Sequence, residues 1–422
     1  QELCRAMPAN AGLRLNLGMA LQMSGRQQEA IPQFEQVLEA EPNSLPALMS
    51  LGVARLETND PARAVGPFEK AIALQPSNSN VRGMLANALL SQGRAKDAAP
   101  HFRKLTTLTP GDPKAWFGLG RSYETLAKQA FEELDKKAQG SAEWLALVAD
   151  SRVAERQYRS AFYFYRQALE KQPNLPGLHL GLAEIYRATG HADWASVEDK
   201  KEKALPHPAS QSAYTRAREY NELALQAFSH LGQLPESVEL HALKAEISTS
   251  HGQHLEAASE WRAALKLAPG DERLERELAT ALYLGRDYQT ALAMLQSLAK
   301  REPGAADLHF FLGDSLLQME RAEEALPYLE ASVKADPKLL PAQATLGMAY
   351  AKTGKSAQAI PHLEAALETD EDGSLHYQLA RAYQAAGNAA KSREAMSRYQ
   401  EIQKRSEAAK RDLEEQAEIT AP

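Results

Sequence analysis

Cysteine is almost missing from this chain: Cys4 is the only one in 422 residues. That excludes a disulfide framework and any cysteine-rich metal site. It leaves Cys4 as a buried inert thiol or, alternatively, as half of an intermolecular disulfide. Long hydrophobic runs are missing too. No window holds eighteen uninterrupted apolar residues, so no helix is expected to span a bilayer. There is no basic excess: 48 Lys and Arg stand against 55 Asp and Glu, a net charge of −7. Nucleic acid is therefore not expected as the main partner. The phosphate-cradling glycine loops, the H-E-x-x-H zinc helix and the G-x-S-x-G elbow do not occur. The best metal candidate, "SHGQHLEAASEW", sets His251 and His254 at a turn with Glu256 and Glu260 nearby. Zinc wants three or four ligands converging from fixed geometry, so no metal and no other cofactor is expected. The chain starts at Gln1 without an initiator methionine, a basic n-region or an apolar h-region. Processing or a start inside a longer protein both fit, with a secreted or periplasmic location favoured over a cytoplasmic one.

What is present is a period. The 44% hydrophobic content excludes a disordered polymer. Prolines stand at 8, 42, 76 and 110, and again at 235, 269, 303 and 337, each 34 residues after the last. Between them one pattern returns: "LNLGMAL" (15–21), "MSLGVAR" (49–55), "GMLANAL" (83–89), "FGLGRSY" (117–123), "FFLGDSL" (310–316) and "ATLGMAY" (344–350). Twelve residues after its small residue comes Ala30, Ala64, Ala98, Ala325 or Ala359, and four further on Phe34, Phe68, Phe102, Leu329 or Leu363. This spacing predicts a helical hairpin whose two helices cross on small residues while bulky ones fill the groove beside them. Gly25, Gly93, Gly190, Gly252, Gly354 and Gly387 mark its turn, and the closing proline stops its second helix. An inner proline (Pro32, Pro100, Pro327, Pro361) falls early in that second helix. There it costs less than the ~3 kcal/mol of a mid-helix proline.

The pattern resembles the tetratricopeptide repeat over most of residues 11–405, in about eleven units. The resemblance implies an all-α, right-handed superhelical solenoid whose first helices line a concave groove. The expected division is an N-terminal block, 1–205, an irregular loop and extra helix, 206–237, a second block, 238–405, and a charged helical extension, 406–422. Within it the fourth unit, from 113, lacks a glycine turn, so its second helix is expected to be short or nearly continuous with the first. The extra helix, 213–232, carries an apolar stripe of Tyr214, Ala217, Tyr220, Leu223, Ala227 and Leu231. Whether the loop "ALPHPASQS" edges a binding surface or is a neutral insertion stays open.

By the same resemblance, two positions of each first helix face the groove: Leu15 and Met19, Met49 and Val53, Gly83 and Asn87, Phe117 and Arg121. Ala146 and Asp150, Leu180 and Glu184, Ala242 and Glu246, and Phe310 and Asp314 continue the series. Some family members hold a peptide carboxylate with Lys and Asn here. Only Asn87 fits that clamp. An apolar early groove and an acidic middle suit an extended or helical polypeptide with apolar and basic groups. The expected function is thus a non-enzymatic protein-interaction scaffold. The alternative is a self-assembling structural protein joined head to tail, into oligomers or extracellular fibres, through Leu3 and Met7 at one end and Leu413 and Ala417 at the other.

Overall fold

The computed structural model describes residues 10–205 and 212–422, and of 409–416 the backbone alone. Among the described residues every regular element is helical and no strand occurs. Helices α1 (Ala11–Met23) and α2 (Gln27–Ala40), α3 (Leu45–Glu57) and α4 (Pro61–Leu74), and α5 (Ser79–Ser91) and α6 (Ala95–Leu108) form three successive pairs. Local chemistry sets their ends. Asn10 and Asn78 accept the Leu13 and Val81 amides as side-chain caps, satisfying donors that the first turn leaves without a partner. Prolines 42, 76 and 110 stand two residues beyond Ala40, Leu74 and Leu108, where they cannot continue the helix. Pro32 and Pro100 lie inside α2 and α6, and Pro67 lies likewise inside α4.

Close approach at the crossing makes the small residues necessary. A Cβ on Gly18 would stand 2.5 Å from the Phe34 ring, and one on Gly52 2.4 Å from the Phe68 ring. Phe34 and Phe68 are fully buried in return, and burying a phenyl ring is worth about 1.5–3 kcal/mol. The turn between the helices also has one requirement. Gly25 and Gly93 adopt φ of +73° and +71°, but Asn59, Arg156, Arg286 and Glu320 hold φ of +57° to +61° without glycine.

The fourth unit breaks this order. Helix α7 (Pro113–Ala138) runs unbroken for 26 residues, with Ala127 buried where a turn would fall. Next come α8 (Ala142–Ala154), α9 (Tyr158–Lys171), α10 (Leu178–Ala188) and α11 (Ala192–Lys203). The extra helix, α12 (Ala213–Gly232), then packs along α7. A Cβ on Gly120 would lie 2.3 Å from the Phe228 ring, the contact that Gly52 makes with Phe68. Ala224 and Phe228 repeat the small-then-bulky spacing, so α12 supplies the second helix that α7 lacks. Tyr220 stacks beside Tyr123, His230 lies 4.4 Å from Trp116, and Arg216 pairs with Glu133 at 2.6 Å.

The remaining pairs resume the period. They are α13 (Val238–Ser250) and α14 (His254–Leu267), α15 (Glu272–Leu284) and α16 (Tyr288–Arg301), α17 (Ala306–Gln318) and α18 (Ala322–Ala335), α19 (Leu340–Lys352) and α20 (Ser356–Ala366), and α21 (Ser374–Ala385) and α22 (Ala389–Gln416). Leucine replaces phenylalanine at the crossing: a Cβ on Gly313 would meet Leu329 at 2.5 Å, and one on Gly347 Leu363 at 2.7 Å. The chain packs as two compact units, one of Gln1–Leu147, Ala168–Pro176 and Leu205–Leu240, the other of Val148–Gln167, Gly177–Ala204 and His241–Pro422. Within the first of these units α12 packs on α7.

Candidate partner-binding face

In the first unit α1 touches α3, α3 touches α5 and α5 touches α7; in the second, α15, α17, α19 and α21 adjoin in the same way. First helices thus form continuous faces, and the expected groove residues sit on them in different states. Met19 is 42% exposed, while Leu15, Met49 and Val53 are half-buried against the cores beneath them. Asn87 and Glu184 are exposed. Phe117 lies 6.4 Å from Phe228, and the Arg121 guanidinium covers it at 6.0 Å while bonding Glu124 at 2.9 Å. Burial pushes the Glu124 carboxyl up and Arg121 pulls it down.

Three carboxylates of the series behave otherwise. Asp150 accepts the Tyr165 hydroxyl, and Glu246 is half-buried. Asp314 is only 7% exposed and accepts the Tyr283 hydroxyl at 2.7 Å and the Gln318 amide at 3.1 Å. Burial, with Asp314 beside it, pushes the Tyr283 phenol up. Phe310 packs against Phe311 and Tyr283, 5.5 and 6.3 Å away. Around Asp314 the structure has a packed aromatic and polar cluster, so the acidic character expected there is turned inward.

The end-to-end residues fare differently again. Leu3 and Met7 lie outside the described residues, as does the side chain of Leu413. Ala417 is 3% exposed, covered by its own chain. Most of the "ALPHPASQS" loop also falls outside the described residues. The residues of the His–Glu stretch make separate contacts: Glu260 pairs with His241 at 2.7 Å, and His251 Nε2 lies 3.0 Å from the Ala154 carbonyl oxygen. Among the described residues no three His, Cys, Asp or Glu side chains are grouped to share a metal ion, and no helix is long and apolar enough to cross a membrane.

One surface escaped the sequence reading. Residues 417–422 leave the end of α22 and lie against α9 and α10, beside a cleft of about 530 Å³ lined by Arg156, Tyr158, Arg159, Thr189, Ala417 and Ile419. Only Ala417 carried a signal, as the last member of a thin apolar stripe.

Antiparallel helix pairs stacked on small-against-large contacts, with a left-handed residue at each turn, define a helical repeat protein. Tetratricopeptide repeat profiles match residues 15–79 and 276–339, residues 55–119 and 316–376, and residues 373–398. The chain belongs to the tetratricopeptide repeat family, and its fold is that of a protein-interaction repeat scaffold. No curated protein matches it. Among solved structures it is similar to a MamA fragment from Desulfovibrio magneticus RS-1, with 22% identity over 40% of this chain and 97% of that one and a TM-score of 0.37. Yeast Tom70 is similar with 15% identity over 96% of both chains and a TM-score of 0.30. A tetratricopeptide repeat protein from Parabacteroides merdae ATCC 43184 shows 14% identity over 66% of this chain and 88% of that one, with a TM-score of 0.31.

Proposed function

We propose that the chain is a non-enzymatic scaffold that holds a polypeptide partner on the face of its first helices. The observation that carries this reading is the row of apolar side chains left partly open on α1 and α3: Leu15 and Met19, then Met49 and Val53 one period later. Methionines on such a face adapt to varied apolar groups.

The test selects peptides from a random library on the full chain and compares them with the variant Met19→Asp, Met49→Asp, Val53→Asp. Three charges on this face are expected to weaken the selected peptides by well over tenfold, with helicity by circular dichroism unchanged. Peptides that bind both chains equally would remove this face from consideration.

A further inference from the structure

The cleft beside α9 and α10 is lined by none of the expected groove residues. It is built from the turn after α8, the start of α9 and the end of α10, and the chain's own segment 417–422 forms its remaining wall. The contacts are of two kinds. Ala417 is 3% exposed and Ile419 half-buried, so two apolar side chains two residues apart pack at the edge of the cleft. The backbone is held as well: the Tyr186 hydroxyl donates to the Thr420 carbonyl oxygen at 2.7 Å, and Arg166 donates to the Thr420 hydroxyl at 3.3 Å. Glu418, between the apolar pair, is exposed.

Tyr186 is suited to reading a peptide carbonyl. Its ring is 2% exposed, wedged between Phe162 and Trp194 at 6.0 and 5.5 Å. Burial first and Glu198 second push its phenol up to about 12, so the hydroxyl stays protonated and donating across the neutral range. A hydrogen bond to a main-chain carbonyl with pockets for alternate side chains is a general way for a surface to take an extended peptide.

We propose that the surface of α9 and α10 on which residues 417–422 lie, with the cleft beside them, is a second peptide-docking site, covered within the chain by that segment, and that it takes in trans an extended peptide of the same chemistry. Such a peptide presents a small residue, an apolar β-branched residue two positions on, and a hydroxyl residue next. The tethered segment competes at an effective concentration that for short linkers is about millimolar, so a weak ligand in trans is held off until the segment is released. The site stands apart from the scaffold reading above, which could fail without affecting it.

The experiment uses the full chain and its Ala417→Asp variant, in which a charge at a buried position expels the segment. The probe is a fluorescent peptide of residues 415–422, acetylated and amidated so that only side chains and backbone are read. Anisotropy is expected to show Ala417→Asp binding the probe about tenfold more tightly than the unaltered chain. Adding Tyr186→Phe, which keeps the packed ring and removes the donor, is expected to cost several-fold. Adding Met19→Asp and Met49→Asp instead is expected to change nothing. Equal binding by the first two chains, no binding by either, or indifference to Tyr186→Phe overturns the proposal. Loss of binding through the methionine substitutions overturns it too, by moving the probe to the other face.

Discussion

The pair α3–α4 and the pair α7–α12 solve one packing problem with different chain connections. In the first, Gly52 and Phe68 belong to consecutive helices joined by the short turn at Asn59. In the second, Gly120 and Phe228 make the same contact with four helices of chain between them. Small-against-large complementarity is therefore the constant, and the order in which the chain delivers the two surfaces is free. That follows from the physics of repeats, where each helix is stabilised by the neighbours it touches rather than by its place in sequence. The cost falls on the route: a long excursion closes a larger loop, but doubling a loop's length adds only about 0.6 kcal/mol.

The sharpest way to break the comparison is to remove the large partner from each pair. Phe68→Ala is expected to destabilise its region by about 3–5 kcal/mol, the usual cost of emptying a buried phenyl site. Phe228 is less deeply covered, so Phe228→Ala is expected to cost somewhat less, about 2–3 kcal/mol. Hydrogen exchange resolved along the chain measures both, because a repeat array need not unfold in one step. A double cycle then tests the contact itself: Gly120→Ala should overpack against Phe228 and become nearly harmless once Phe228 is alanine. Additive costs would show that α12 does not serve α7 as a second helix.

That contact also marks the limit of what was legible in the sequence. Period, turns, closing prolines and the apolar stripe of α12 were all visible, because each is a local pattern enforced by backbone geometry. Even the unbroken α7 was one of two expected outcomes, since no glycine interrupts 124–138. The destination of α12 was not visible: Gly120 looks like any repeat glycine and Phe228 like any aromatic until the fold brings them together. The candidate face divides in the same way. Met19, which the family resemblance puts on the groove, has an exposed side chain. The resemblance puts Asp314 at a groove position, yet Tyr283 from the preceding pair reaches its carboxylate and closes it off. Spacing reports which way a side chain points; it does not report which neighbour meets it.

A second, smaller effect separates the pairs by pH. In α5–α6, burial lowers the affinity of His101 for a proton, and Arg82 beside it acts in the same sense. The folded value thus lies below the ordinary 6.5. The sign follows: the neutral imidazole's contribution is fully present above 6.5 and is lost as pH falls through the folded value. Urea midpoints measured from pH 7.5 down to 5 are expected to drop more for the unaltered chain than for His101→Gln. Parallel curves would mean that His101 titrates as it does in the unfolded chain.

The smallest expected effect concerns the turns, and it sharpens the comparison from the other side. Arg286 holds φ of +61° at the position where Gly25 and Gly93 sit, and its side chain is exposed. A left-handed residue with a Cβ costs roughly 1–2 kcal/mol, while glycine gives back part of that gain through its greater freedom in the unfolded chain. Arg286→Gly is therefore expected to stabilise α15–α16 by about 0.5–1 kcal/mol. Asn59→Gly is expected to gain less, because asparagine visits this region at lower cost. Glu320 is a poorer test, since it pairs with Lys352 at 3.0 Å and the substitution would remove that contact as well. Local exchange protection after α15 reads the difference directly. If Arg286→Gly gains no more than Asn59→Gly, strain at the turn does not govern how firmly these helix pairs close, and the crossing contacts alone set their stability.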